Sequence, residues 1–164
     1  MIEKLKEIER TVLRDLLNDP SAWTSLDIDY HPPVVKRLFT TIGENRLYLH
    51  EIHPCDTKDA LTHPHPWESA MHVLPTGIST YEHGIGTKNS ILCKQQVSGE
   101  MYYEMLDKDA YHYVRPFNGV VHTLMLAGPP KWKENSHKAD KDLTTLSEEE
   151  FNRVLNIFKS SFNG

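Results

Sequence analysis

The sequence has few cysteines and lacks a long hydrophobic run. Its two cysteines, Cys55 and Cys93, form no CxxC pair and are too few for a disulfide framework. We expect both to be free thiols in a reducing compartment, which favours a cytoplasmic location, and we expect Cys93 to be buried within a strand. The first ten residues alternate charged with apolar side chains, unlike a signal peptide or a membrane span.

An excess of positive charge is also missing. The 164 residues include 23 acidic and 18 basic side chains, which gives a formal net charge of -5. A mildly acidic chain does not favour nucleic acid or an anionic membrane surface as a partner. Hydrophobic residues make up 38% and charged residues 25%, as in soluble globular proteins. The length predicts one domain over residues 1–164.

Short apolar segments dominate the middle of the chain, and an amphipathic segment flanks them on each side. Apolar residues spaced by three and four predict a helix over residues 2–18, and a second helix over 147–162 begins with a capping box of Ser147 and Glu150. Residues 20–35 are rich in proline and aspartate and are predicted to be irregular. From about 36 to 130, strand-like segments alternate with Gly, Asn, Asp and Pro, which is typical of a β-sandwich or barrel.

Two histidines stand on alternate positions in the stretch Thr62–Gly77, which reads THPHPWESAMHVLPTG. On an extended chain residues i and i+2 point the same way, so His63 and His65 are expected to face one space. The prolines between and after them place the pair at a strand entrance or sheet edge. Imidazole is a good ligand for Fe, Ni, Cu and Zn, so the pair predicts part of a metal site with a third ligand from elsewhere.

This stretch resembles the first motif of the cupins, in which an HxH pair is followed by a glutamate and then a glycine. Counting back from Gly77 places the glutamate position at Ala70, while Glu68 lies two residues earlier. The segment LDKDAYHYVRPF, which contains His112, resembles the second motif. The resemblance covers about residues 38–130 and implies an all-β, double-stranded β-helix (cupin) barrel with flanking N- and C-terminal α-helices.

Several histidines are candidates for the third metal ligand. The resemblance favours His112, and His122 in the apolar strand VVHTLMLAG is the alternative. His72 would replace the missing glutamate if the alignment slips, and Glu68 is a further candidate ligand. The remaining histidines that lack the spacing of a site are interpreted as loop or strand residues: His31, His50, His53 and His137.

Three histidines without a carboxylate leave the full divalent charge on a metal, together with open coordination positions. By resemblance, thiol dioxygenases of the cupin superfamily use three histidines on ferrous iron. This implies Fe(II) as the metal, with Zn, Ni or Mn as alternatives, and dioxygenase-like oxidation of a small organic substrate. A catalytic role in orienting that substrate is assigned to Tyr81, Glu82 and Arg115, of which Arg115 could pair with a carboxylate.

Two hypotheses for a non-catalytic function stay open. One is a metal-containing or metal-free module that binds or senses a small molecule, and the other is a structural barrel that has lost its metal. The resemblance also implies a homodimer, because cupin barrels often pair through their sheets.

Overall fold

The computed structural model describes residues 1–76 and 80–163, and in this part of the chain the helices flank two antiparallel sheets. The helices are α1 (Ile2–Thr11), α2 (Leu13–Asn18) and α3 (Glu148–Phe162), with single 3-10 turns at Pro20–Ala22 and Lys133–Asn135. The strands are β1 (Thr24–Ile28), β2 (Val35–Ile42), β3 (Asn45–Ile52), β4 (Ser69–Val73), β5 (Tyr81–Thr87), β6 (Ser90–Val97), β7 (Tyr102–Met105), β8 (Tyr111–Pro116) and β9 (Val121–Ala127). No helix in the described ranges is long and apolar enough to cross a membrane.

The larger sheet has the order β1-β2-β3-β9-β4-β7, and the smaller has the order β6-β5-β8. The helices cover one face of the larger sheet, where Leu5 and Leu13 meet Leu47, Leu124 and Phe158 in a buried apolar core. The alternate residues of the same strands point the other way, toward the smaller sheet. A cavity lies between the two sheets, so the larger sheet separates the helix-covered core from that cavity.

The predicted helices are present, with one difference. The segment over residues 2–18 is divided at Val12 into α1 and α2, next to Thr11. Two successive β-branched residues have low helix propensity, which weakens the helix at this point. The predicted capping box forms: the Ser147 hydroxyl accepts the backbone N–H of Glu150, and the Glu150 carboxylate accepts the backbone N–H of Ser147.

Two expectations are corrected by the structure. Residues 20–35 are not wholly irregular, because Thr24–Ile28 forms β1 and pairs with β2 from Thr24↔Phe39 to Ile28↔Val35. The local sequence TSLDI has little strand signal, and the strand depends on the neighbour that completes its hydrogen bonds. Cys93 is exposed rather than buried, because β6 is an edge strand whose residues are mostly exposed apart from Val97.

Candidate metal centre

The two motif histidines and His112 meet at one wall of the cavity. His63 pairs with His112 in an isolated antiparallel bridge, in which each backbone N–H donates to the other residue's carbonyl at 2.9 and 3.0 Å. This bridge ties the segment before β4 to β8 of the smaller sheet. One ligand atom from each of His63, His65 and His112 lies within 4.8 Å of the others.

The Nδ1 atoms of the three rings each have a partner on the side away from their meeting point. His63 Nδ1 lies 3.1 Å from the Leu61 carbonyl oxygen, and His65 Nδ1 lies 3.1 Å from the Ser69 hydroxyl. Because a carbonyl only accepts, His63 donates from Nδ1 and keeps its lone pair on Nε2. His65 Nε2 and His112 Nε2 are 3.0 Å apart, so the Nε2 atoms are the candidate ligand atoms.

Burial keeps these imidazoles neutral at neutral pH. Desolvation lowers the pKa of His63 to about 4, and it holds the pKa values of His65 and His112 well below the usual range. Neighbouring histidines add to the effect on His65 and His112, because two nearby imidazolium charges repel. A neutral imidazole is the form that binds a metal, so the donor set fits a borderline divalent cation such as iron or zinc.

A fourth histidine, His83 on β5, stands behind His112. Its Nε2 lies 2.8 Å from His112 Nδ1, and its Nδ1 lies 3.2 Å from the side-chain amide of Gln95. His83 is 1% exposed, and desolvation lowers its pKa to about 4. If His112 binds metal through Nε2, its Nδ1–H donates to His83 Nε2, and His83 then carries its own proton on Nδ1. That proton requires the Gln95 amide to turn its oxygen, rather than its nitrogen, toward His83. Sequence reasoning missed this residue, although its position two residues after Tyr81 on one strand places both on the same face.

The cavity has a volume of about 370 Å³ and is lined by both sheets and by loop residues. The described lining includes Arg37 but no aspartate or glutamate. Six histidines border it: His31, His50, His63, His65, His112 and His137. Three of these were expected to be ordinary loop or strand residues. His50 lies in a segment whose pattern predicts a strand. Nothing in the local sequence indicates that His31 and His137 approach the same cavity.

Of the three predicted substrate-orienting residues, only Tyr81 lines the cavity. Its hydroxyl is hydrogen-bonded to that of Tyr103. Burial raises the pKa of both phenols well above the usual value. Both hydroxyls therefore stay protonated at neutral pH, and because one donates to the other, the pair has one O–H left to donate to a ligand.

Glu82 and Arg115 lie on the other face of the smaller sheet and are absent from the described lining. They stand opposite each other in the β5-β8 register. Glu82 accepts the hydroxyl of Tyr113 at 2.7 Å, and the Arg115 Nε donates to the Cys55 carbonyl at 3.0 Å. Strand alternation explains the difference, because a residue next to an inward-facing one on a strand points outward.

The alternative ligands face away from the triad. Ala70, at the expected glutamate position, is packed in the core beneath the helices. His72 has the same orientation, since its Nδ1 lies 2.7 Å from Glu9 Oε1. Glu68 instead accepts from the Lys131 ammonium at 2.7 Å. On β4 the residue after Ala70, Met71, lines the cavity. The motif spacing counted back from Gly77 therefore pointed to Ala70, which is one residue before the inward-facing Met71. Gly77 itself lies outside the described residues.

His122 also belongs to the helix-covered side. Its Nδ1 lies 2.8 Å from the Thr76 hydroxyl, and its Nε2 lies 3.3 Å from Glu51 Oε2. Its ring packs edge-on against Phe158 of α3. The structure thus brings His112, and not His122, to the pair of motif histidines.

Two facing antiparallel sheets with flanking helices and a central cavity define the fold as a cupin-type β-barrel, as the sequence predicted. No protein-family profile matches the chain, and no curated protein matches it. Solved structures do resemble it, among them hydroxypropylphosphonic acid epoxidase (HppE) from S. wedmorenis, with a TM-score of 0.53, 14% identity, 66% of this chain covered and 56% of that one.

Two further structures of HppE match equally well. The Fe(II) form and the Fe(II) form with the alternative substrate (S)-1-HPP each give a TM-score of 0.53 at 14% identity. Each covers 66% of this chain and 57% of the other, so the chain spans just over half the length of these neighbours. At this identity the likeness establishes the fold.

Proposed function

We propose that the protein is a metal-dependent enzyme that oxidises a small organic substrate with dioxygen. His63, His65 and His112 would hold the metal, with Fe(II) as the first choice. The observation that carries the proposal is the convergence of three neutral imidazoles on a cavity with no carboxylate in its described lining. A bound ferrous ion supplies the redox chemistry and coordination positions that the three ligands leave open.

The chain itself supplies a small binding space between the two sheets. A volume of about 370 Å³ accommodates a small molecule. Met71, Met125 and Trp67 give the space an apolar wall, which displaces water from the substrate. The hydrogen-bonded pair of Tyr81 and Tyr103 offers one O–H donor for orienting it, so Tyr81 is retained as a positioning residue in the proposal. The outward orientation of Glu82 and Arg115 does not support that role for them.

The donor set does not choose the metal, because three histidines without a carboxylate suit an oxygen-activating ferrous site as well as a zinc site. Iron is preferred because structures of HppE, which has the same fold, contain Fe(II). Another structure contains Fe(II)-HppE with the alternative substrate (S)-1-HPP, so a protein of this fold binds both iron and a small molecule. Zinc, nickel and manganese are the alternatives that the experiment below distinguishes.

The test combines metal analysis with oxygen consumption. The protein is purified without added metal or chelator, reconstituted anaerobically with Fe(II), and analysed for bound metal beside His63→Ala and His65→Ala. We expect near-stoichiometric iron in the wild type and loss of iron in both variants. His137→Ala removes a cavity histidine outside the triad and should retain the metal.

Oxygen uptake by the iron-loaded protein is then measured with thiols, amino acids and small carboxylic acids. Uptake that depends on substrate and is lost in His63→Ala would support the enzyme. Binding without turnover would instead favour the sensor or binding module, and iron that remains in both triad variants would refute the site. The homodimer and the cytoplasmic location expected from the sequence stay predictions.

A further inference from the structure

Arg37 on β2 is a charged residue in the cavity wall whose partners leave its charge uncompensated. In the β2-β3 register it stands opposite His50, and its Nε donates to His50 Nε2 at 2.9 Å. Its guanidinium carbon lies 5.0 Å from the centre of the Tyr48 ring. A neutral acceptor and an aromatic face fix the orientation of the side chain without supplying a negative charge.

No carboxylate in the described ranges lies within ion-pair distance of Arg37, whereas Lys36 next to it is paired with Asp27 and Glu150. Arg37 is partly exposed, but the protein around its guanidinium group desolvates it and lowers its pKa. A guanidinium remains protonated at any physiological pH. Because Arg37 lines the cavity and is partly exposed, its charge is accessible to an anionic ligand there.

The unused edge of Arg37 has the shape that a carboxylate requires. Because Nε is occupied by His50, the two terminal nitrogens, Nη1 and Nη2, form an end-on fork with no hydrogen-bond acceptor among the described side chains. Such a fork binds both oxygens of a carboxylate in parallel. A divalent metal at the triad would add positive charge to the same space, which has no acidic residue in its described lining.

A second donor beside the cavity also lacks a partner. The indole Nε1–H of Trp67 is buried and has no hydrogen-bond acceptor in the described structure. The ring of Trp67 is centred 6.2 Å from that of His65 and 6.3 Å from that of Tyr48. Buried donors without acceptors are uncommon in folded proteins, but this N–H has almost no accessible surface, so it is Arg37 that indicates an anionic ligand.

We propose that Arg37 binds the carboxylate of the substrate, which makes the cavity a site for small organic acids. The carboxylate would lie at Arg37 and the reacting part of the molecule toward the three histidines. This inference rests on the proposed function only in taking this cavity as the substrate site, and the carboxylate contact itself needs no bound metal.

The test compares butyrate with butyramide, its neutral counterpart of the same shape. Each is titrated into the purified protein before and after removal of metal by a chelator, with binding followed by ligand-observed NMR. We expect butyrate to bind and butyramide to bind at least tenfold more weakly. Arg37→Met, which keeps the apolar stem, should weaken butyrate binding about 10- to 100-fold, the range for lost hydrogen bonds to a charged group.

Two further variants control the comparison. Arg37→Lys keeps the charge but not the fork and should bind butyrate with intermediate affinity, and circular dichroism checks that both Arg37 variants are folded. Arg46→Met removes an exposed arginine from β3 and should leave binding unchanged. Equal binding of the acid and the amide, or full butyrate affinity in folded Arg37→Met, would overturn the inference. Because chelated protein is included, a failure of the metal site and a failure of the carboxylate site give different results.

Discussion

At the scale of single residues, the orientation of His112 depends on His83. The contact at 2.8 Å between His112 Nδ1 and His83 Nε2 allows His83 to accept the Nδ1 proton of His112 when His112 binds metal through Nε2. Partners of this kind typically contribute 10- to 100-fold to metal affinity. A histidine is an unusual choice for the role, and its own orientation is held by Gln95.

We predict that His83→Phe lowers metal affinity by about 10- to 100-fold while the protein remains folded. His83→Gln should recover part of the loss, because its amide oxygen can accept the His112 proton. Competition with a chromophoric chelator measures the affinity of each variant. Equal affinity in His83→Phe and wild type would show that His83 only fills space.

Single residues also show how far the sequence could be interpreted. The i, i+2 spacing was enough to place His63 and His65 in one space, because strand geometry is local. Arg37 and His83 are equally well placed on their strands, yet nothing in the sequence indicated a role. Their contacts depend on which strands pair and which sheets face each other, and those relations span tens of residues.

At the scale of elements, the carboxylate of Glu9 adds a polar link between α1 and two strands of the larger sheet. Glu9 Oε1 lies 2.7 Å from His72 Nδ1, and Glu9 Oε2 accepts the Tyr102 hydroxyl at 2.5 Å. The rings of His72 and Tyr102 stack at 4.0 Å on the neighbouring strands β4 and β7. The sequence predicted α1 from its apolar stripe, but this polar contact on its flank could not be inferred.

We predict that Glu9→Gln lowers the free energy of unfolding by about 1–3 kcal/mol, because an amide offers one acceptor where the carboxylate serves two donors. Metal binding should not change, since this contact lies on the helix side of the sheet. Urea denaturation measures the loss, with Glu7→Gln on the same helix as control. Glu7 is exposed and pairs only with Arg10, so its replacement should cost less than about 0.5 kcal/mol. Equal effects of the two substitutions would refute the specific role of Glu9.

At the scale of the whole molecule, Glu51 joins three elements and makes stability dependent on pH. It is 1% exposed on β3 and contacts His122 of β9, Arg153 of α3 and His53. Burial alone would raise its pKa, but hydrogen bonds from His122, His53 and Arg153 outweigh burial and hold the pKa far below the usual 4.5. The carboxylate therefore stabilises the fold fully above pH 4.5, and this contribution is lost progressively as the pH falls below that value.

We predict that Glu51→Gln lowers the free energy of unfolding at pH 7 by about 1–3 kcal/mol, because a buried amide accepts from fewer of the three donors than the carboxylate does. The loss stays in this range because Arg153 is 45% exposed and its charge can be solvated. The difference between wild type and variant should narrow as the pH is lowered from 4.5 to 3. Urea titrations at a series of pH values measure this, with the exposed Glu44→Gln as control. A difference that stays constant over this range would mean that the charge of Glu51 is not what stabilises the assembly.

Side chains on the strands of the larger sheet point alternately to its two faces, which affects how this protein can change over evolution. Leu38, Leu49 and Ala70 belong to the helix-covered core, while their neighbours Arg37, His50 and Met71 line the cavity. No residue of that core cluster is among the described cavity residues. Cavity residues such as Met71 and Tyr81 pack in two smaller apolar clusters of their own. Mutations that alter ligand preference therefore leave the helix-covered core intact, and a lineage can exchange its substrate without repacking that core.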